Sequence, residues 1–381
     1  MEPVTAGQRK GGTGRLLGVD AARALALIGM MSVHMLPSTD PDGSISTAYF
    51  ISSGRASALF AVLAGVGLAL ANGSTGPPQG RAFMAAAAGI AGRAVILGML
   101  GLILGELDSG VAVILVNYAF LFLVATAFIG LWWRTLGLLA VFWAICSPVL
   151  SFWLRSGIVD ESFAVPGFTE LADPILFLRE IILTGYYPVL PWITYLLAGL
   201  AVGRANLRSR RVAWVLVASG VTLAFAAKAI SDFLLDRFKP AGLDAPVQFF
   251  GATPTDSWWY LAVATPHSGT SFDLLHTTGT SLAVLGACLL LEAAGRSVLA
   301  WLAAAGGMTL SLYTSHVLAL AAGWGPEDRL ALLIWHVVAA IAIGLFWRTF
   351  VGRGPLETLA ASLAGTFKSA VADSRATPRG A

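Results

Sequence analysis

The sequence predicts an all-α, polytopic membrane protein with about ten membrane-spanning helices. Of its 381 residues, 57% are hydrophobic and only 12% are charged, whereas a soluble domain has roughly 25% charged residues. The mean hydropathy is +0.77, and a soluble chain of this size would need more polar side chains to cover its surface. The hydrophobic residues also occur in long blocks, and about 20 such residues cross the hydrocarbon core as a helix.

The predicted spans are apolar blocks separated by glycine, proline and charged residues. They lie near residues 16–36, 48–71, 83–105, 111–131, 135–154, 187–203, 212–235, 274–294, 298–322 and 329–349. A shorter apolar stretch at 174–185 contains Arg179 and Glu180, and we expect it to form an interfacial or re-entrant helix. The first block has no small-residue cleavage site, so we expect it to be retained and not removed as a signal peptide.

The domain organisation is predicted to be one transmembrane domain at residues 16–350 with a short tail at each end. The tails are residues 1–15 and 351–381, and we expect the second to be disordered from about residue 366, because it is polar and rich in small residues. Lys and Arg are concentrated in the loops on the side of the N-terminus. This bias predicts a multi-pass protein of the cell membrane with both tails in the cytoplasm.

Charge and motifs exclude several classes of function. The net charge is +3, but the arginines lie in short loops and form no continuous stripe, so no nucleic-acid partner is expected. Cys146 and Cys288 both lie inside apolar blocks and offer neither a disulfide framework nor a metal site. The sequence also has no phosphate loop, zinc-ligand spacing, Gly-x-Ser-x-Gly elbow or dinucleotide fingerprint.

The first predicted helix contains three ionisable residues, and each is costly inside a membrane unless it has a partner or a function. Asp20 and Arg23 are one helical turn apart, so their charges can neutralise each other. His34 follows Arg23 by about three turns, so both side chains point the same way and are separated by a rise of roughly 16 Å, about half the hydrocarbon thickness. This face therefore connects the inner half of the membrane to a histidine in its outer half.

Spacing alone leaves a structural role open for each of these residues. Asp20 and Arg23 are also explained as an ion pair that fixes helix packing, and His34 as an interhelical hydrogen-bonding residue. His267 lies in the loop before the eighth block, where histidines are most simply solvated. His336, in the tenth block, is explained as a packing residue.

Two other polar pairs have simple structural interpretations. Lys228 and Asp232 are four residues apart in the seventh block and are expected to form an intrahelical ion pair. Ser315 and His316 are adjacent in the ninth block, so their side chains diverge by about 100°. They therefore cannot act together as a nucleophile and its base.

The segment Leu17–His34 resembles the first core helix of the transmembrane acyltransferase superfamily, in which an Asp, an Arg three residues later and a His eleven residues after that Arg recur. All three positions match here. Segments at 54–65, 187–192 and 307–316 resemble the branch related to heparan-α-glucosaminide N-acetyltransferase. Those at 267–270 and 354–357 resemble related bacterial membrane proteins. That branch usually has Asn in place of His34 and its proposed catalytic His further along the chain. Here the loop after His34, residues 35–47, is short and contains no histidine, so the acyl-handling role is expected to fall on His34.

The resemblance implies a membrane-bound acyltransferase. It would move an acyl group, expected to be acetyl, from cytoplasmic acyl-CoA to a glycan, lipid or small-molecule acceptor on the outer side. Acetyl-CoA or another acyl-CoA is thus the expected co-substrate, with no permanently bound cofactor and no metal. The lipid bilayer is the other expected partner, and a homodimer is compatible with the sequence.

Residue roles follow from the same resemblance. His34 would act as general base or transient acyl carrier. The remaining candidate catalytic residues are Arg23, Asp20, His316 and His267, and the candidate ligands of the CoA phosphates are Arg93, Arg204 and Arg208.

The alternative is a proton-coupled secondary transporter or exporter. In it, Asp20, Arg23, His34 and the Lys228–Asp232 pair would relay protons. The sequence contains no clear second copy of the polar residues in the first block, which weakens this alternative.

Overall fold

The computed structural model describes residues 15–158, 165–243 and 246–373. Within these ranges the chain is helical, with an isolated bridge between Thr39 and Ile45 and no longer strand, which confirms the all-α prediction. The predicted tail at 1–15 lies outside the described residues except for its last residue, and so does the end of the second tail from 374.

Short connections join most of the helices, and the two longest connections are residues 156–173 and 239–270. The helices are α1 (Leu17–Met35), α2 (Thr47–Ser52), α3 (Arg55–Ala71), α4 (Gly80–Gly105), α5 (Leu115–Phe128), α6 (Trp133–Arg155), α7 (Pro174–Arg179), α8 (Val189–Gly203), α9 (Arg210–Phe238), α10 (Ser271–Ala294), α11 (Arg296–Gly306), α12 (Thr309–Ala321), α13 (Arg329–Phe350) and α14 (Pro355–Asp373). A π-helical turn, Glu180–Thr184, continues α7.

The number of full-length spans is smaller than the sequence predicted. Among the described residues, seven helical segments are long and apolar enough to cross a membrane, and a bent pair of helices, Pro174–Thr184 and Val189–Gly203, would be an eighth. The expectation of about ten is therefore wrong by this measure. One reason is that α5 has only 14 residues and is about 21 Å long. The other is that the ninth predicted span breaks at 307–308, between α11 and α12.

Helix α1 is the central helix, and small residues allow its neighbours to approach it closely. A Cβ atom added at Gly18 would lie 2.8 Å from the carbonyl oxygen of Cys288 on α10. A Cβ atom at Gly306, the last residue of α11, would overlap the backbone of Asp20. Both contacts are closer than any side chain permits, which is how small residues drive helix association in membranes. They hold α10 and α11 against the N-terminal half of α1, where Asp20 is buried.

Helices α3 and α8 pack in the same way. A Cβ atom at Gly65 would lie 2.5 Å from the carbonyl oxygen of Leu196, and one at Gly199 would lie 2.0 Å from that of Val62. The two backbones are therefore in direct contact, and they form a rigid wall beside α1.

Helix α14 covers the first half of the tail that was predicted to be disordered. The prediction of disorder is wrong for residues 366–373, which belong to this helix. Tertiary contacts explain the difference, because the Glu357 carboxylate accepts hydrogen bonds from the backbone nitrogens of Leu310 (2.7 Å) and Ser311 (3.1 Å). At the other end, Nζ of Lys368 donates to Oδ1 of Asn72 over 3.1 Å. Local composition alone contains none of this information.

Candidate active site

A cavity of about 840 Å³ opens at the N-terminal end of α1, and we call it the inner cavity. Its lining comes from α1, α3, α4, α5, α11, α12, α14 and the loops after α3 and α8. Its charged lining residues are Arg15, Arg23, Arg93, Arg208, Arg353, Asp20 and Glu357. The volume is in the range of small-molecule sites.

The two acidic residues of the inner cavity already have partners. Asp20 is almost fully buried and accepts hydrogen bonds from Nε of Arg15 and from Nη1 of Arg23, the latter over 3.2 Å. The Glu357 carboxylate holds the first turn of α12 through its backbone nitrogens and also accepts from the hydroxyl of Ser311. Arginines thus outnumber carboxylates in the lining, and the cavity is a basic site that suits an anionic ligand.

The structure separates the three arginines that the sequence predicted as phosphate ligands. Arg93 and Arg208 line the inner cavity. Arg204 does not line it, because its guanidinium is buried and donates to the backbone carbonyls of Asn72, Ser74 and Ile129. Arg204 follows α8, and its hydrogen bonds therefore connect this loop to the loops after α3 and α5. It has no geometry for a phosphate ligand.

Two arginines of the inner cavity were not among the predicted ligands. Arg15 precedes α1 and Arg353 precedes α14, so each lies in a loop that the sequence analysis used only to determine orientation. Their approach to Arg23 and Arg93 depends on the packing of the chain termini against the helix bundle. The one available signal was that both are basic residues adjacent to a helix end.

A second cavity of about 500 Å³ lies at the C-terminal end of α1, and we call it the outer cavity. It contains two of the predicted catalytic residues, His34 from α1 and His267 from the loop before α10. Polar and aromatic side chains complete the wall: Tyr49, Ser52, Ser57, Tyr186, Tyr187, Gln248 and Arg329. Hydroxyl, amide and aromatic groups around a histidine provide both hydrogen bonding and apolar contact for a small polar ligand.

A row of three histidines runs from the outer cavity into the protein. Nδ1 of His34 lies 3.0 Å from Nε2 of His316 on α12, and Nδ1 of His316 lies 3.1 Å from Nδ1 of His336 on α13. The rings of His34 and His316 are stacked, with centroids 5.3 Å apart and an interplanar angle of 12°. The structure thus brings His316 to the predicted catalytic histidine and adds His336, which sequence analysis had interpreted as a packing residue.

His267 forms the opposite wall of the outer cavity in a constrained loop. It has a φ of 59°, an unusual conformation for a residue with a side chain, and its ring packs 4.7 Å from that of Tyr186. The loop approaches so closely that a Cβ atom at Gly54 would lie 3.2 Å from Pro266. Burial lowers the pKa of His267 from 6.5 to about 4. Its imidazole is therefore neutral at physiological pH, and the sequence interpretation of a solvated loop histidine is wrong.

The inner and outer cavities meet at Met30, which lines both of them. Beside it, the Tyr118 hydroxyl from the inner cavity donates to the backbone carbonyl of Ser57, a residue of the outer cavity, over 3.3 Å. One helix, α1, therefore presents Arg23 to the first cavity and His34 to the second. Between them stand a flexible thioether and one tyrosine.

The other polar residues noted in the sequence lie away from both cavities. Lys228 and Asp232 form the expected intrahelical ion pair, with Nζ 2.5 Å from Oδ1, and both side chains are about half exposed on α9. The Ser315 hydroxyl donates to the carbonyl of Ser311 and not to His316. Among the described residues, no three His, Cys, Asp or Glu side chains are arranged to hold a metal ion.

Comparison with known proteins places these elements in a family context. A family model described as heparan-alpha-glucosaminide N-acetyltransferase, catalytic, matches residues 15–231. The match extends from α1 into α9 and includes both Arg23 and His34. His267, which also lines the outer cavity, and His316 and His336 of the histidine row lie beyond it, so their assignment to the site rests on geometry alone. A comparison with curated proteins gives no match.

Proposed function

The chain belongs to the heparan-alpha-glucosaminide N-acetyltransferase catalytic family, and on that basis we propose that it transfers an acyl group from one side of a membrane to the other. Acyl-CoA, with acetyl as the expected acyl group, binds in the inner cavity. A glycan, lipid or small-molecule acceptor with a hydroxyl or amine binds in the outer cavity. The observation that carries this proposal is that the two cavities meet at Met30, with Arg23 in one and His34 in the other.

The charge of the inner cavity supports a CoA ligand. CoA carries several phosphate charges at one end and an uncharged pantetheine arm with its thioester at the other. Arg93, Arg208 and Arg353 line this cavity, and their guanidinium groups can bind phosphates in a bidentate manner. The lining also contains apolar and aromatic side chains, among them Tyr118 and Tyr313, which suit the uncharged arm.

In this mechanism His34 is the general base. Its Nδ1 is occupied by His316, so Nε2 is the nitrogen available to the acceptor in the outer cavity. The acceptor hydroxyl gives its proton to Nε2 as its oxygen bonds to the thioester carbonyl carbon. The carbon–sulfur bond then breaks, and the CoA thiolate takes the proton back from His34. No metal or further co-reactant enters this sequence of steps.

The proposal also states how the chain is oriented in the membrane and which membrane contains it. The inner cavity faces the cytoplasm, because Lys and Arg are concentrated in the loops at this end and acyl-CoA is a cytoplasmic metabolite. The chain is a multi-pass protein of the cell membrane with both tails inside, and the acceptor is presented from the opposite side.

Transport by proton relay receives less support from the geometry. The relay in that alternative included Lys228 and Asp232, which pair with each other on an exposed face of α9 and line neither cavity. Without them, the polar residues of α1 are accounted for by the basic cavity and by the histidine row.

The test is acyl-CoA binding and transfer by the full chain in lipid nanodiscs. We expect saturable binding of radiolabelled acetyl-CoA and label transfer to a member of a panel of amino sugars, glycans and lipid extracts. Arg93→Gln should weaken binding about tenfold, the equivalent of about 1.4 kcal/mol. Arg210→Gln is the matched control, because Arg210 is at the same end but lies outside the cavity and donates to the carbonyl of Ala293. Absence of acetyl-CoA binding would refute the proposal.

A further inference from the structure

We propose that His34, His316 and His336 form a proton relay in which His336 is a positioning residue for the proposed reaction. The inference rests on the proposed function only where turnover is measured. Its structural basis is that three imidazoles from α1, α12 and α13 are joined by two nitrogen–nitrogen contacts of 3.0 and 3.1 Å.

The two hydrogen bonds must point in the same direction along the row. His316 uses both ring nitrogens, Nε2 toward His34 and Nδ1 toward His336. A neutral imidazole has one N–H and one acceptor nitrogen, so His316 donates one of these bonds and accepts the other. Three neutral rings therefore allow only two arrangements. In one, each donor lies on the His34 side of its bond, so that the bonds run toward His336; in the other, each donor lies on the His336 side, so that the bonds run toward His34.

These two arrangements present different chemistry to the outer cavity. When the bonds run toward His336, Nδ1 of His34 carries the proton and Nε2 is a base. When they run back, Nε2 of His34 carries a proton and is a donor. The direction of the row thus decides whether His34 can accept the proton of the acceptor or deliver a proton to the CoA thiolate, and the reaction requires both in turn.

A proton arriving at Nε2 of His34 reverses the row in one concerted set of transfers. The Nδ1 proton of His34 moves to Nε2 of His316, and the Nδ1 proton of His316 moves to Nδ1 of His336. The incoming charge is then carried by His336 until the thiolate leaves. The same transfers in reverse supply the thiolate with its proton from Nε2 of His34, so no proton is gained or lost over the cycle.

The burial of His336 distinguishes this role from simple packing. Its side chain is 4% exposed, and Nε2 is buried without a hydrogen-bond partner among the described residues. An unpaired buried polar atom costs about 1–3 kcal/mol, and an apolar side chain at this position would avoid that cost. Packing therefore does not explain a histidine here, whereas a group that exchanges a proton through Nδ1 does.

The first experiment is independent of turnover. Nitrogen-15 NMR of the full chain in nanodiscs, with ring-labelled histidine, reports which nitrogen of each imidazole carries the proton. The relay predicts that Nδ1 carries the proton in His34 and His316 while the three rings are neutral. It also predicts that both tautomers reverse, with His336 doubly protonated, when acid adds one proton to the row. His276 is an internal reference, since its Nδ1 lies 2.9 Å from the carbonyl oxygen of Ala224, which only accepts. A proton on Nε2 of His34 in the neutral row, or tautomers of His34 and His316 that stay unchanged when the extra proton is added, would overturn the relay, whatever the activity.

The second experiment measures transfer in position-336 variants. A glutamine can hydrogen-bond to His316 but cannot exchange a proton, so His336→Gln should keep the KM for acyl-CoA and lose about 10–100-fold in kcat, as for groups that orient a working histidine. Its solvent deuterium isotope effect should also fall. If the role is structural, His336→Gln retains wild-type kcat while His336→Phe does not, and the relay is refuted. His276→Gln is the control. Absence of transfer in the wild type, with NMR as expected, would instead refute the proposed function.

Discussion

Nδ1 of His34 lies 3.0 Å from Nε2 of His316, although 282 positions separate them in the chain. The contact joins the last turn of α1 to the middle of α12 and leaves Nε2 of His34 for the outer cavity. Loss of a general base typically lowers turnover by about 10²–10⁴-fold. We therefore expect His34→Ala to lose transfer by that factor and to bind acetyl-CoA normally, because the inner cavity is unchanged.

Single-turnover transfer and equilibrium binding on the same preparation check this prediction. His276→Ala is the matched control, since His276 lies on α10 outside both cavities. Wild-type turnover in the His34 variant would remove this residue from the mechanism.

Met30 lines both cavities, and in the proposed mechanism the thioester passes it to reach His34. An unbranched thioether changes rotamer easily, whereas an indole cannot be moved aside without disturbing close-packed helices. Met30→Trp should therefore reduce transfer at least tenfold and leave acetyl-CoA affinity within a factor of about 2, and Met30→Leu should retain most of the activity. Equal transfer by the two variants would show that the acyl group takes another path.

Gly65 and Gly67 are two residues apart on α3 and have opposite surroundings. A Cβ atom at Gly67 would lie 2.6 Å from Nη2 of Arg23, the end of a flexible side chain, whereas one at Gly65 would meet the backbone of α8 at 2.5 Å. Gly67→Ala should therefore displace the guanidinium and weaken acetyl-CoA binding without loss of stability. Gly65→Ala should separate the helices and cost about 1–3 kcal/mol.

Thermal unfolding in detergent and acetyl-CoA binding, measured on both variants, provide the comparison. The prediction fails if Gly67→Ala lowers the melting temperature as much as Gly65→Ala does, or if it leaves binding unchanged.

The burial of His267 predicts how stability depends on pH. Its pKa is about 4 in the folded protein and 6.5 without burial, so between these values the unfolded chain binds more protons and stability rises with pH. The free energy of unfolding is not reduced by His267 above about pH 6.5. It falls as pH decreases toward 4, by a total of roughly 3 kcal/mol. His267→Gln should flatten this dependence. Melting temperatures of wild type and variant at pH 7.5, 6.0 and 5.0 give the two slopes, and parallel slopes would contradict the prediction.

The sequence alone predicts a membrane protein, because hydrophobicity and the length of an apolar block are local properties of the chain. All ten predicted blocks correspond to helical segments, and the shared face of Arg23 and His34 follows from helical periodicity alone. Whether a block forms one full-length span depends on breaks such as that at 307–308. The residues at that break, Gly307 and Met308, do not predict it from the sequence. Their backbone conformation is set by the packing of α11 and α12.

The sequence by itself determined that the chain is a helical membrane protein and that α1 carries an arginine and a histidine on one side. Only the tertiary structure decided what those residues face, because side chains far apart in the chain meet only when helices pack. Arg204 was indistinguishable from Arg93 as a basic residue, until its three carbonyl partners from two separate loops came together around it. His336 joined the site, although no local pattern linked it to His34, because α12 places His316 between them.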